Sequence, residues 1–241
     1  MLPSLPVQNV TVVQPPTQSR AFFGRRKGHK LRPNHARLID ALLPRLAIDL
    51  SRPAPADLAT LFPVPVREVA LEIGFGGGES MIAQAGENPG VGFLGVEPFV
   101  NGMAKALAAI EAGELKNIRL HFDDAVNLIA WLPPASLARI DLIHPDPWPK
   151  RRHWKRRFVQ DEMVGRLARV LRRGGEFRFV TDIADYAAWT LMRLLRSPEF
   201  AWTAQCADDW RKPWPGFTRT RYHAKAAREE RASCFLIFRK I

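Results

Sequence analysis

From Glu68 to Leu195 the chain alternates, and no other feature limits its possible folds so tightly. Five times a short apolar run gives way to a stretch with helical spacing. E-V-A-L-E-I (68–73) leads through glycines into a helix expected over 78–88, G-F-L-G-V-E (92–97) into one over 100–112, and I-R-L-H-F (118–122) into one over 125–131. I-D-L-I-H (140–144) precedes a proline-rich loop and a helix expected over 158–172, capped by the R-R-G-G at 172–175. E-F-R-F-V-T (176–181) then precedes a helix over 184–195.

Strands alternating with helices dictate a mostly parallel sheet covered on both faces. F-A-W-T-A-Q (200–205) and S-C-F-L-I-F-R-K (233–240) add two strands, read as a hairpin-like pair with no full helix between them. The expected class is therefore α/β: a Rossmann-like, mostly parallel seven-stranded sheet with helices on both faces, in the class I methyltransferase variant of the doubly wound fold. Ahead of it, Leu38, Leu42, Leu43 and Leu46 follow helical spacing, with Pro44 set to kink or end that helix. The proline-containing stretches at 51–57 and 63–66 are linkers. The expected organisation is a flexible basic arm over 1–32 and one domain over 33–241, of which 33–60 is the N-terminal helix and linker.

Charge narrows the choice of partner. The 241 residues carry 36 Lys and Arg against 24 Asp and Glu, a net charge of +12, although charged residues are an ordinary 25% of the chain. That excess favours a polyanion, nucleic acid first and an acidic membrane second. No acidic residue precedes Asp40, whereas Arg20, Arg25, Arg26, Lys27, Lys30, Arg32 and Arg37 all do. Transit peptides share this composition, but Pro3, Pro6, Pro15 and Pro16 break an amphipathic targeting helix and favour a nucleic-acid-binding arm. Cys206 and Cys234 match neither a CxxC pair nor a zinc set, so two small buried side chains in a reducing compartment are expected, and no metal. No apolar run approaches the ~20 residues of a membrane span. A soluble, cytoplasmic monomer is the expectation.

The candidate site lies at the carboxyl ends of the strands, where open α/β sheets bind ligands. In L-E-I-G-F-G-G-G-E (71–79), Gly74, Gly76 and Gly78 permit positive φ and let backbone amides approach a ligand at a helix start. A dinucleotide fold prefers a third glycine where Glu79 stands, and an acid there repels a pyrophosphate. S-adenosylmethionine carries positive sulfonium and ammonium groups instead, so the acids favour it. Glu72 is placed for that ammonium or for orienting the loop. Glu97, about 20 residues past the loop, is placed to accept from both ribose hydroxyls, and Asp124 to receive the adenine amino group, with Asp123 as its competitor. Either aspartate is equally well read as a helix N-cap.

Asp146 follows the fourth strand between Pro145 and Pro147, and Pro149 stiffens the loop further. It should face a transferable methyl group, unless Pro-Asp-Pro is only a surface turn. Lys150, Arg151, Arg152, Lys155, Arg156 and Arg157 follow, interleaved with His153 and the indoles Trp148 and Trp154. Cations hold phosphates and indoles stack on unpaired bases, so this is the expected RNA dock.

L-E-I-G-F-G, G-V-E-P, D-D-A-V and above all P-D-P-W-P-K-R-R-H-W-K-R-R-F-V resemble the bacterial tRNA (guanine-N7-)-methyltransferase family, from about Phe22 to the C-terminus. The resemblance implies S-adenosyl-L-methionine as methyl donor, tRNA as partner and the N7 of a variable-loop guanine as target. It implies cofactor contacts at Glu72, Glu97, Asp124 and Asp146, with Asp146 also catalytic. Substrate contacts are implied at Lys150, Asp182, Thr220, Arg221 and Tyr222. The family usually has Glu at the next position, where this chain has His223.

Guanine N7 carries a free lone pair, so its methylation needs alignment and electrostatics rather than prior deprotonation. Two rivals stand beside this reading. An exocyclic-amine methyltransferase would carry two adjacent prolines and an aromatic after its acid, and here Pro147 is followed by Trp148. A non-catalytic RNA-binding protein on the same scaffold would show decayed acids, and all four are present.

Overall fold

The computed structural model describes residues 22–241. After an extended segment over 22–32 come α1 (Pro33–Ala41) and the single turn α2 (Leu43–Leu46), broken just ahead of Pro44 as the sequence predicts. A 3-10 turn at Leu58–Leu61, capped by Asp57, leads into the sheet.

The repeating part then runs β1 (Glu68–Ile73), α3 (Glu79–Glu87), β2 (Val91–Val96), α4 (Val100–Ala112), β3 (Ile118–His121), α5 (Ala125–Trp131) and β4 (Leu137–Ile143). A 3-10 turn over Arg151–Arg156, α6 (Asp161–Val170), β5 (Leu171–Thr181) and α7 (Ala184–Arg196) follow. The chain closes with β6 (Phe200–Trp202), the short turn α8 (Asp208–Arg211), α9 (Arg221–Arg228) and β7 (Cys234–Lys240).

The strands form one sheet in the order β3-β2-β1-β4-β5-β7-β6, parallel from β3 to β5, with β7 antiparallel to both its neighbours. The strand order reverses between β1 and β4, so the crevice opens at their carboxyl ends. Side chains alternate across a strand and sort the core into two layers. Val69, Leu71 and Ile73 pack with α5, α6 and α7, and Ala70 packs with α1, α3 and α4. Both faces of β1 are therefore covered, which is why Val69, Ala70 and Leu71 run apolar without alternation.

Two expectations about the second half need correction. R-R-G-G does not cap a helix: α6 ends at Val170, and the segment lies within β5. Its pairing with β4 jumps from Leu137↔Leu171 to Arg139↔Glu176, so the glycines absorb a bulge, with Gly174 at φ +77°. The last two strands pair as expected, but an eight-residue helix, α9, stands in their long connection, so they are no hairpin. α9 carries Thr220-Arg221-Tyr222 back to the sheet edge.

Cys234 is half-buried, but Cys206 is exposed rather than buried, and both are free thiols. Among the described residues no helix is long and apolar enough to cross a membrane.

Candidate active site

At the carboxyl edge of β1, β2 and β4 lies a cavity of roughly 340 Å³, within the range of small-molecule sites. Its floor is the glycine turn. Gly74, Gly76 and Gly78 have φ of +69°, +58° and +83°, which L side chains rarely adopt. A second glycine makes room for this turn: a Cβ on Gly102 in α4 would collide with the Gly76 carbonyl oxygen.

Glu97, just past β2, locks the turn. Its Oε2 accepts from the Gly76 N–H at 2.6 Å and its Oε1 from the Phe99 N–H at 2.9 Å. Burial pushes its pKa up to about 6, against the pull of those two amides and of Arg221. Each oxygen retains a second lone pair for a hydroxyl donor. Asp124 is buried, and of the two parts expected of it the helix cap is observed. It caps α5 by accepting from the Val126 N–H at 3.1 Å, and its other oxygen lies on the cavity wall, where the Phe22 N–H reaches it at 2.8 Å. Asp123 instead forms a surface ion pair with Arg26 at 2.7 Å.

Glu72 does not reach the cavity. It lies on the opposite face of β1 from Ile73, directly across from Asp141 on β4. Burial, then the charge of Asp141, push its pKa up to about 8, with a hydrogen bond from Ser80 opposing. Its protonated form is therefore favoured at neutral pH, in the interior beside Ser80 and Asp141.

The opposite wall comes from the loop after β4. Asp146 stands on the cavity wall, exposed to solvent on its outer side, and partial desolvation on the cavity side raises its pKa. His144, Pro145 and Trp148 line the same wall. His144 has φ +49°, and its buried ring places Nδ1 3.3 Å from Asp182. Burial lowers its pKa, so the neutral ring donates from Nδ1. Asp182 is also held by Arg231 Nε at 2.6 Å; partial burial raises its pKa, but Arg231, a backbone amide and His144 together hold it below the ordinary carboxylate range. Sequence reasoning missed His144, because a single histidine ending an apolar run has no distinguishing mark.

The other substrate candidates separate. Arg221 and Tyr222 lie over the glycine turn: a Cβ on Gly76 would sit 3.4 Å from the Arg221 guanidinium and 3.7 Å from the Tyr222 ring. Thr220 is buried and serves as the N-cap of α9, accepting from the His223 N–H at 3.2 Å. His223 packs among Phe217, Phe235 and His144, with Ser233 Oγ 3.4 Å from its Nδ1. Burial and then Arg219 lower its pKa, so it is neutral and, packed in rings, does not occupy a carboxylate's role at the cavity.

The basic run also divides. Lys150, Arg151, Arg152 and Lys155 are exposed and stand outside the cavity lining, available to phosphates. Arg156 lies 4.9 Å over Trp148, whose indole also meets Phe23 and His153 edge-on. Trp154 packs against Trp189 with its Nε1 buried, which corrects the expectation that it stacks on a base. Arg157 is buried completely.

The segment 22–32 crosses this edge rather than standing apart from the domain. Val100 N–H donates to the Arg26 carbonyl at 3.0 Å, and Asn101 bonds Gly28 and His29 at 2.8 Å each. Phe22, Phe23, Gly24 and Arg25 line the cavity. The rest of the expected arm, 1–21, lies outside the described residues.

The glycine turn, Glu97 and Asp124 fit S-adenosylmethionine chemically: amides and acids face a cationic, phosphate-free nucleoside, and the space matches. Comparison with known proteins agrees. A family model described as "Putative methyltransferase" matches residues 66–236. A tRNA (guanine-N(7)-)-methyltransferase of Rhodopseudomonas palustris strain BisB5 is 64% identical over 92% of this chain and 86% of its own length. One from strain BisB18 is 66% identical over 92% and 88%, and one from Bradyrhizobium diazoefficiens 62% identical over 92% and 94%. Among solved structures, the 16S rRNA methyltransferase KamB superposes with a TM-score of 0.51 at 16% identity, over 73% of this chain and 89% of its own, showing the shared fold.

Proposed function

The chain belongs to the tRNA (guanine-N(7)-)-methyltransferase family, and from that premise we propose that it methylates N7 of the variable-loop guanine of tRNA with Asp146 at the reacting centre. It is an S-adenosylmethionine-dependent enzyme acting on tRNA. When bound, the cofactor supplies a methyl group on a positive sulfonium.

Glu97 accepts from the ribose hydroxyls with its remaining lone pairs, and Asp124 takes the adenine amino group where the Phe22 amide now sits. The amides of the glycine turn and the Arg221–Tyr222 pair close the other side. Lys150, Arg151, Arg152 and Lys155 hold the RNA backbone by charge. Asp182, ionised and fixed by Arg231 and His144, accepts from the donor edge of the guanine.

Guanine N7 gains a positive charge as it is alkylated. Asp146, on a loop stiffened by three prolines, offsets that charge and aligns the base. No proton has to leave N7, so Asp146 acts as an electrostatic and positioning carboxylate, not a general base. The observation that carries this reading is that Asp146 shares one cavity with Glu97 and Asp124, while the exposed cations begin only four residues further on.

The test is direct. Purified protein is incubated with methyl-labelled S-adenosylmethionine and unmodified tRNA, and the RNA is digested in one portion to nucleosides, to identify the labelled base, and in another to oligonucleotides, to locate it. Label is expected in 7-methylguanosine from the variable loop. Label in another nucleoside would remove the N7 assignment, and label in a guanine elsewhere would remove the variable-loop one.

A further inference from the structure

Arg157 ends the basic run, yet it is the largest fully buried side chain among the described residues. Its side chain has 0% exposure, whereas Arg151, Arg152 and Lys155 in the same run are exposed. A guanidinium removed from water costs several kcal/mol unless it is paired and its donors are used. This one is caged. Its Cζ lies 5.0 Å from the Trp154 ring, 5.0 Å from Tyr186 and 4.9 Å from Trp189, and its Nη2 donates to Asp185 at the start of α7.

The remaining contact gives the cage its purpose. Nε of Arg157 donates to the Pro147 carbonyl oxygen at 2.9 Å. Pro147 directly follows Asp146, and the next residue, Trp148, is held at φ +43°. A bulky residue in that left-handed region costs about 1–3 kcal/mol and persists only where its surroundings over-determine it. The prolines fix their own φ, and Pro147 biases Asp146 toward extended ψ, but ψ of Pro147 and the side-chain torsions of Asp146 stay open, so the prolines alone do not set where the carboxylate points. The Arg157 bond fixes the peptide that they leave undetermined. Lysine cannot substitute, because its single ammonium cannot bond Pro147 and Asp185 while stacking flat between rings.

We propose that Arg157 is a positioning residue for methyl transfer: it ties the Pro147 carbonyl to α7 and so fixes the direction of the Asp146 carboxylate, and it makes no contact with RNA. The proposal rests on Asp146 as the carboxylate of the reacting centre.

The experiment compares Arg157→Lys, Asp185→Asn, Asp146→Ala and the double variant Asp146→Ala/Arg157→Lys. Single-turnover rate, tRNA Kd over a range of salt and S-adenosylmethionine Kd are measured for each. Arg157→Lys is expected to lower the rate by on the order of 10–100-fold, the scale of a misplacement of about 1 Å. Both Kd values stay within about twofold and the salt slope is unchanged. Asp185→Asn, at a half-exposed site where folding is safe, moves the rate in the same direction by a smaller factor. The double variant is no slower than Asp146→Ala alone, because Arg157 acts through Asp146.

A normal rate in Asp185→Asn together with additive losses in the double variant would overturn the proposal. So would an unchanged rate in Arg157→Lys with a salt slope lower by about one, which is the signature of a phosphate-binding cation. A normal rate in Asp146→Ala would instead overturn the reading of Asp146 itself. If Arg157→Lys does not fold, Asp185→Asn decides alone: a lowered rate at unchanged Kd supports the proposal and an unchanged rate overturns it.

Discussion

The two walls of the cavity belong to one sheet edge and have opposite chemistry. The wall after β1 and β2 is made of backbone amides locked by buried acids, Glu97 and Asp124. The wall after β4 carries one acid, Asp146, in front of exposed cations and caged indoles. Each wall complements the charge of what it meets: a compact cationic nucleoside on one side, a polyanion on the other. The difference extends to burial. Glu97 and Asp124 sit in the interior, each accepting backbone N–H bonds, whereas Lys150, Arg151, Arg152 and Lys155 stay in solvent, where the proposed phosphate contacts would draw on counterion release. Arg157 is the exception, a buried cation held by its Nε and Nη2 bonds and by three rings, while its Nη1 has no hydrogen-bond partner.

The comparison breaks most visibly at Asp146. Asp146→Ala is expected to lower the single-turnover rate by about 10²–10³-fold, the scale of removing one preorganised electrostatic group, with tRNA Kd within about twofold. A large loss of tRNA affinity would move Asp146 from the chemistry into the dock.

Glu97→Gln tests the other wall. Losing charge-assisted hydrogen bonds worth about 1.5–3 kcal/mol weakens S-adenosylmethionine binding by roughly 10–100-fold and leaves the salt dependence of tRNA binding intact. The pH profile sharpens this. Because the Glu97 pKa is raised to about 6, the unliganded carboxylate takes up a proton as pH falls through that value. Cofactor affinity in the parent protein should therefore drop as pH falls below about 6, while the Gln variant stays flat. Isothermal titration at pH 5, 6, 7 and 8 reads both, and parallel profiles would remove Glu97 from the ribose.

Smaller effects are expected at the exposed cations. Arg151→Ala with Arg152→Ala should weaken tRNA binding several-fold at low salt and reduce the salt slope by about one for each phosphate that is no longer held. Cofactor affinity should not move.

The last effect concerns stability and leaves the cavity's ligands aside. Glu72 in the folded state has a pKa of about 8 against an ordinary value of 4.5. Between these values the folded state keeps a proton that the unfolded chain has released, so stability falls as pH rises from 4.5 through about 8. Glu72→Gln removes that slope, and its Tm should exceed that of the parent at pH 9 and approach it near pH 5. Identical Tm curves against pH would show that Glu72 is an ordinary ionised carboxylate.

The parallel strands and their helices were legible because continuous apolar runs have one solution, burial on both faces. R-R-G-G was misread because a glycine pair after a helical pattern signals a cap just as it signals a bulge, and only pairing with β4 separates the two. α9 was missed because its eight residues, Arg221–Arg228, are mostly charged or small and bury only Ala226. At the site, Glu97 and Asp146 were legible from their places at strand ends. Glu72 was not, because facing is set by strand parity and by what lies across at Asp141. That Thr220 caps a helix and His223 fills an aromatic cluster was not legible, because both parts depend on where α9 packs. Nothing in K-R-R-H-W-K-R-R distinguishes the buried arginine from the exposed ones. Its three rings come from Trp154 in the run itself and from Tyr186 and Trp189 about thirty residues later.

The most direct test of the divided cavity is a pair of titrations on the unaltered protein, S-adenosylmethionine and tRNA each measured from low to high salt. If the walls work as described, log Kd for tRNA rises linearly with log salt with a slope of several units. The S-adenosylmethionine Kd stays nearly constant over the same range. A tRNA affinity that ignores salt, or a cofactor affinity that follows it as steeply, would contradict the division.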